Sequence, residues 1–359
     1  MGRSGVAFKV RAGRVVERVA AGAALVASLW AVAPVPASAG DDYGRLSIIE
    51  ENDGLLPDGR DRHYTQGAMI TYLSPSLKPE DFAAGLFSDV GQTTPFFQPG
   101  LDVTRKFQVM IGQSIFTPQH YHDPVPDPRD RPFAGYLFAG GSLLQDTNGV
   151  MLDNLELLAG VVGPASLAKE AQETFHSVAG FNNQNLDQGY KYQLRNEPGF
   201  MLTYERKWRI WQANFGAFQS DFIPEAGLTA GNVMTYGAAG ATFRVGQNIN
   251  VDYGIPRVRP ALSGTSWFDA SRLTQDFGWY LFAGVQGRAV AHNIFLDGNS
   301  FTDSRSVDKK FLVGDFSGGA SLFWRDWAKL DFSFTARTKE FETQHEADHF
   351  GNASLSIRF

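Results

Sequence analysis

One short stretch near the start of the sequence carries side chains that could do chemistry. Residues 51–53 (END) precede a loop with glycine and proline, and residues 61–67 (DRHYTQG) follow it. Both flanks alternate as strands do, which predicts a hairpin whose polar groups meet across its loop. Each polar residue alone could be a hydrated loop residue. The set together predicts a functional site, because loops on a rigid scaffold commonly carry function.

A second candidate lies in the only convincing helical segment of the sequence. Residues 165–178 run without a helix breaker, and Gln172 and His176 share one face because they are four apart. A neutral imidazole can take a proton from water near pH 7, so His176 is a candidate general base. Another face carries an apolar stripe at helical spacing, made of Leu167, Ala171, Phe175 and Val178.

The two candidates together suggest hydrolysis of an ester by water. The oxygens of Asn52, Asp53 and Thr65 are of the hard type that calcium prefers. Calcium or amide donors could stabilise the oxyanion that forms when water attacks an ester. The sequence has no Gly-x-Ser-x-Gly elbow and no cysteine, which weakens the case for a serine or cysteine nucleophile. Arg62 and Tyr64, within the same stretch, are predicted to contact the substrate.

The chain as a whole looks exported. Residues 1–39 have a basic start, an apolar run and a small-residue cleavage site, which predicts a signal peptide. Residues 40–359 are then expected to form one domain. The chain has 359 residues and a net charge of −6, so it lacks the basic footprint of a nucleic-acid-binding protein. It has no cysteine, so no disulfide supports it.

Alternating segments recur along the whole domain. Small residues on one face and apolar residues on the other suit a transmembrane antiparallel β-barrel of about 12 strands, although a soluble β-sandwich would also alternate. The terminal Phe359 resembles the assembly signal of bacterial outer-membrane proteins. The predicted strands cover residues 46–51, 68–73, 107–112, 133–142, 150–162, 200–205, 210–221, 233–245, 277–289, 311–324, 328–341 and 352–359, with a turn at 206–208.

The connections predict an orientation. Three tight connections, after the fourth, sixth and tenth strands, fall on the side of the termini, and short turns mark the periplasmic side of such barrels. The opposite, outward rim then holds the first polar cluster, residues 117–130 and the helical segment within 163–196. Connections 74–104 and 247–275 are long for a periplasmic position, and this scheme does not explain them.

These motifs resemble the lipid A 3′-O-deacylase (LpxR) family of outer-membrane enzymes. The resemblance spans most of the domain and is strongest between residues 50 and 206. Three ordered blocks carry it, and together they are more specific than any one motif. They comprise residues 52–53 with 61–67, then 112–118 with 130–135, then 162–164 with Gln172, His176 and 193–199.

The resemblance implies a twelve-stranded barrel with its site at the outer rim, beside a short helix in an extracellular loop. It implies calcium-dependent hydrolysis that releases the 3′-linked acyloxyacyl chain of lipid A in the bacterial outer membrane. Carried over by position, Asn52 and Asp53 would hold calcium and the oxyanion. Thr65 and Gln172 would line the site, and His176 would activate water.

The sequence departs from the family pattern at two positions. A site lysine of the family falls near Asp123, and a site glutamate falls near Asn182. These departures leave room for a lipid A of another acylation pattern. An outer-membrane phospholipase and a non-catalytic barrel or channel remain as alternatives.

Overall fold

The computed structural model describes residues 43–55, 62–97, 102–179, 186–260 and 265–359, so the expected signal peptide lies outside the described part. No helix in these ranges is long and apolar enough to cross a membrane. Four α-helices are described: α1 (Phe82–Thr93), α2 (Ala168–Ala179), α3 (Leu186–Gly189) and α4 (Ile294–Asp297). Thirteen strand segments make up most of the fold: β1 (Arg45–Asn52), β2 (His63–Leu73), β3 (Val103–Thr117), β4 (Ala134–Thr147), β5 (Met151–Val162), β6 (Glu197–Trp208), β7 (Trp211–Phe215), β8 (Phe218–Gly231), β9 (Met234–Gln247), β10 (Phe277–Asn293), β11 (Leu312–Trp324), β12 (Ala328–Arg337) and β13 (Asp348–Arg358).

The strands close into a barrel. Each neighbouring pair is antiparallel, β1 pairs with β13, and β8 pairs with both β6 and β7. Since β6 and β7 lie end to end along β8, they are two halves of one barrel strand. The barrel therefore has twelve strands, which confirms the fold class and strand number expected from the sequence.

One predicted turn is wrong. The chain does not turn at residues 206–208, because β6 continues to Trp208 and the strand resumes as β7. The real hairpin turn is at Gly216, whose positive φ of 64° suits glycine. The charged residues looked like a turn, but Lys207 points into the barrel, where its Nζ lies 2.8 Å from Glu225 Oε2.

The two ends of the barrel differ. We call the end with the chain termini and the short connections 148–150, 216–217 and 325–327 the terminal rim, and the other end the site rim. The three connections that carry the sequence motifs all begin and end at the site rim, as the strand parity predicted: they follow Asn52, Thr117 and Val162. Tryptophans gather near the terminal rim, at positions 208, 211, 279, 324 and 327.

The unexplained connection after β9 fills the lumen. Arg259 reaches across it, with its Nε 2.8 Å from Glu156 Oε1 and its Nη1 2.8 Å from Glu205 Oε2. Trp267 packs in a buried apolar cluster with strand residues such as Leu144. These contacts make residues 248–260 and 265–276 an internal plug.

The plug also binds the strand that carries the first motif. The carboxylate of Glu51 accepts hydrogen bonds from Arg257 Nε at 3.1 Å, Tyr64 Oη at 2.9 Å and Asn352 Nδ2 at 3.2 Å. Beyond this layer, the site-rim end of the lumen is packed with apolar side chains, including Phe116. The described lumen is therefore filled along its length rather than open.

The connection after β2 takes a different course. It contains α1, a helix that the sequence reading missed because Gly85 and Gly91 interrupt its apolar pattern. Phe87 of this helix is buried against Phe97, with ring centroids 4.8 Å apart. This segment lies on the outside of the barrel, near the terminal rim.

Removing one plug cation should destabilise the barrel. Arg259→Ala leaves the buried Glu156 and Glu205 without their shared partner, and breaking a buried pair from one side costs about 3–5 kcal/mol. We expect a lower urea midpoint for unfolding in detergent micelles, followed by the heat-modifiable shift on a gel. Arg129→Ala is the matched control, because its ion pair with Asp127 is on the surface. Equal midpoints for the two variants would contradict this account of the plug.

Candidate active site

The first motif sits where the barrel wall meets its rim. Successive residues of a strand point to opposite faces, so Glu51, which binds the plug, faces the lumen while Asn52 faces outward. Asn52 pairs in register with Gln66 on β2. Asn52 and Asp53 are both buried although they lie at the rim. The candidate site is therefore on the lipid side of the wall, not inside the barrel.

Hydrogen bonds to the backbone fix the loop that follows. Asn52 Oδ1 accepts the N–H of Gly54 at 2.6 Å, and Asp53 Oδ2 accepts the N–H of Arg62 at 2.6 Å. Asp53 therefore ties the two ends of the loop together. Its carboxylate is held in place by the chain itself, as a binding group needs to be.

Thr65 occupies an irregular position in the wall. The register between β2 and β3 shifts between Tyr64 and Gln66, which places Thr65 in a bulge. Its Oγ1 lies 2.7 Å from Oγ1 of Thr117 at the end of β3. Bulges re-aim side chains next to active sites, and this one sets two hydroxyls side by side.

Helix α2 packs against the outer wall of the barrel rather than across its mouth. Gln113 of β3 donates from Nε2 to the carbonyl of Ser166 at 2.5 Å. Gly135 of β4 allows the close approach, since a Cβ there would overlap Ser166 and Ala168. A small apolar cluster joins helix and wall: Ile115, Tyr121, Phe133, Ala168, Leu186 and Tyr190.

The buried face of α2 is not the apolar stripe. Leu167, the first residue of that stripe, is exposed and precedes the helix in a left-handed conformation. Ala168, Gln172 and His176 are buried instead. Polar residues therefore occupy the protein-facing side of this helix, which is unusual and indicates a site, because buried polar groups require specific partners.

Aromatic residues hold the two polar side chains of α2. Tyr190 Oη donates to Gln172 Oε1 at 2.8 Å. The ring of Tyr121 lies edge-on to the imidazole of His176, with centroids 5.8 Å apart. Tyr121 also belongs to the apolar cluster that contains Ile115. Ile115 lies on the outward face of β3, two residues before Thr117. The imidazole and the threonine hydroxyls thus share one face at one rim.

Comparison with known proteins decides the family. A family model described as "Outer membrane protein LpxR" matches residues 23–359. The chain belongs to the LpxR family. It is an outer-membrane β-barrel, and the family resemblance inferred from the three sequence blocks is confirmed.

One solved structure supports the fold of this LpxR family member. The structure described as LpxR from Salmonella typhimurium is 22% identical, with a TM-score of 0.67, covering 88% of this chain and all of that one. The β domain of the Bordetella autotransporter BrkA is 8% identical, with a TM-score of 0.43, covering 90% and 100% of the two chains. No curated protein sequence matches the chain.

Arg62 and Tyr64 lie apart from the outward-facing groups in this LpxR family member. Tyr64 is inside the barrel, where its hydroxyl is committed to Glu51. The Arg62 guanidinium lies 3.2 Å from Glu346 Oε2 and 3.7 Å from Asp348 Oδ1, so it holds the connection before β13. The contact of Arg62 and Tyr64 with substrate stays a prediction.

Sequence reasoning missed two groups at this rim. His63 is fully buried, and its Nδ1 lies 2.7 Å from Asp348 Oδ1. Like Arg62, it therefore connects the start of β2 to β13. Glu50 faces outward, and its Oε1 accepts a hydrogen bond from Gln66 Nε2 at 2.9 Å. The alternation itself was the missed signal for Glu50, because a carboxylate in a lipid-facing row is costly and usually functional.

Arg131, near the contacts that Arg62 and His63 make with Asp348, keeps its positive charge in a buried position. Burial lowers the pKa of its guanidinium, and the carboxylates of Glu340, Asp348 and Asp130 oppose that shift. An arginine remains protonated under such shifts. Arg131 therefore supplies a fixed positive charge beneath the site-rim loops.

The donors for a cation are few. Within the described ranges, no three His, Cys, Asp or Glu side chains gather as a metal group would require. The oxygens of Asn52 and Asp53, with Glu50 beside them, are hard donors of the type that calcium accepts. This set fits calcium only if water or substrate supplies the remaining ligands, which is the arrangement of an open site.

A bulky residue at Gly135 should displace α2 and leave the barrel intact. Gly135→Leu would force its side chain into Ser166 and Ala168, so the segment 163–196 should become open to limited proteolysis. The heat-modifiable gel shift should remain, because the strand itself can accept leucine. Gly287→Leu is the control, since an added Cβ there meets open space. Equal protease resistance in both variants would show that α2 is not held by this contact.

Proposed function

We propose that this chain is an ester hydrolase of the outer membrane that releases the 3′-linked acyloxyacyl chain of lipid A. The single observation that carries the proposal is the position of the site groups. Asn52, Thr65 and His176 lie buried on the lipid side of the wall, and the proposal requires the segments that cover them to admit a membrane ester from that side. Family membership supports the lipid A substrate.

The filled lumen argues against the channel alternative. Among the described residues, the plug and the apolar cluster at the site-rim end occupy the lumen. Short turns mark the periplasmic side of such barrels, so the site rim is proposed to face outward. The ester of an outer-leaflet lipid would then lie at the level of Asn52.

The proposed chemistry needs a base, a water and an oxyanion site. His176 accepts a proton from water as the water oxygen attacks the ester carbonyl carbon. The bond from that carbon to the sugar oxygen then breaks, and His176 returns the proton to the leaving alkoxide. The products are a free sugar hydroxyl and an acyloxyacyl carboxylic acid, which then releases its proton to water, so atoms and protons balance.

The remaining groups position the reacting atoms. Tyr190 fixes Gln172, and Tyr121 packs on the imidazole, so the base cannot rotate freely. In the arrangement where Thr117 Oγ1 donates to Thr65 Oγ1, the Thr65 hydroxyl is positioned to donate to the developing oxyanion. Calcium, held by Asn52 and Asp53, would add positive charge next to the ester carbonyl when bound.

The direct test is product analysis. The purified protein is incubated with lipid A and, separately, with a glycerophospholipid, and the products are weighed by mass spectrometry. Loss of one acyloxyacyl chain from lipid A alone supports the proposal. Cleavage of the phospholipid instead would identify a phospholipase, and no cleavage of either lipid would favour a non-catalytic barrel.

Activity should depend on calcium through Asp53. Asp53→Asn keeps an oxygen to accept the Arg62 N–H but removes the charge, so the loop should stay closed while cation affinity falls. We expect at least a tenfold rise in the calcium concentration for half-maximal rate. Asp303→Asn, an exposed change at the same rim, should have no effect. Full activity of the unaltered protein in excess chelator would refute the calcium requirement.

His176→Ala should lower kcat by about 10²–10⁴-fold, the usual contribution of a positioned acid–base group. The barrel should remain folded, because α2 is anchored through Ala168 and the outer wall. His345→Ala is the matched control, since that histidine is exposed in a connection at the same rim. Near-normal turnover of His176→Ala would assign the proton transfer to another group.

A further inference from the structure

The connection after β2 forms a strap across the outside of the barrel. We use the name strap for residues 74–97. Its first part runs along β3, where the Leu77 N–H donates to the Arg105 carbonyl at 2.8 Å. Its end reaches β6, where the ring of Phe96 stacks on Tyr204 with centroids 3.6 Å apart. The strap therefore bridges β4 and β5 without belonging to the sheet.

An apolar groove of about 890 Å³ lies between the strap and the wall. Its floor includes Val109, Leu157 and Leu202, which are 48%, 52% and 48% exposed on the outer face of the barrel. Its other side is formed by Phe82 and Leu86 of α1. This volume is within the range of about 300–1,000 Å³ typical of small-molecule sites.

Helix α1 has two faces of different polarity. Phe82, Leu86 and Val90 recur at a spacing of four residues on one face, whereas Ser88 and Gln92 lie on another. Phe82 is 89% exposed although it belongs to the apolar face. Such a helix is suited to the boundary between water and hydrocarbon, where its apolar side can enter the membrane.

The ends of the groove place it at this boundary. Tyr72 and Phe107 line the groove near the terminal rim, where the tryptophans also gather. Aromatic belts mark the interface in membrane proteins. On the terminal-rim side of the groove, Arg206 Nε lies 2.6 Å from Asp153 Oδ1 on the outward face of the wall. Charged groups therefore border the groove at this end. The groove thus runs from a polar edge into the apolar band of the wall.

We propose that the groove holds one acyl chain of a glycerophospholipid from the leaflet at the terminal rim, and that α1 lies in the interface as the outer wall of this site. The floor consists of the surface that faces lipid in any transmembrane barrel, so the neighbour of Leu157 is a hydrocarbon chain. Because the strap covers part of this surface, a lipid chain that lies there has protein on two sides. This inference does not depend on the hydrolase activity.

Native mass spectrometry can test for the bound lipid. The full chain is reconstituted with one phosphatidylethanolamine, transferred to a lipid-free detergent, and weighed. We expect one retained lipid for the unaltered protein and at least a tenfold lower bound fraction for Leu157→Trp, which fills the groove. Phe332→Trp is the control, because Phe332 is a lipid-facing residue of β12, outside the groove. Equal retention in all three proteins, or retention of detergent alone, would overturn the proposal.

The position of α1 can be tested separately, because the chain has no cysteine to interfere with labelling. Spin labels are attached to Leu86→Cys and, as the control on the other helix face, to Ser88→Cys in the same vesicles. We expect the label at 86 to collide mainly with oxygen and the label at 88 mainly with a water-soluble nickel complex. Equal nickel accessibility at both positions would place α1 in water and remove the outer wall of the site.

Discussion

The buried carboxylate of Glu51 is the contact on which the site depends most. It accepts hydrogen bonds from the plug, from β2 and from β13, all inside the barrel. The wall of a β-barrel is one residue thick, so fixing Glu51 on the inner face also fixes Asn52 on the outer face. An ionic network in the lumen thereby positions groups that face lipid.

Such a network requires its charges to be matched. Arg259 lies between Glu156 and Glu205, and Asp315 is approached by Arg288 and Arg337 within 3.0 Å. A buried ion pair adds little net stability over an apolar pair, because both ions lose their hydration. What the pairs provide is a single arrangement of the plug, since any other arrangement would leave buried charges unmatched. A rigid interior is useful to a site built on the other side of the same strands.

The features that could be predicted from the sequence are those set by the alternation of strand residues and by the parity of the connections. Twelve strands and the shared rim of Asn52, Thr65 and His176 followed from a period of two and from counting turns. The plug could not be predicted, because Arg257 and Arg259 look like ordinary loop charges until their partners on distant strands are known. The protein-facing side of α2 could not be predicted for a related reason. Apolar periodicity identifies a helix, but it does not reveal that polar residues face the protein at a site.

The outer wall carries different kinds of side chain at its two rims. At the site rim, the outward rows end in Glu50, Asn52 and the hydroxyls of Thr65 and Thr117, which can meet the polar part of a lipid. Near the terminal rim, the outward-facing wall residues beneath the strap include leucine and valine. These side chains can contact only the acyl chains of a lipid. The outer wall thus has a polar edge at the site rim and an apolar band near the terminal rim. Because the interior is filled and rigid, changes in the outward residues can alter lipid recognition without disturbing the fold.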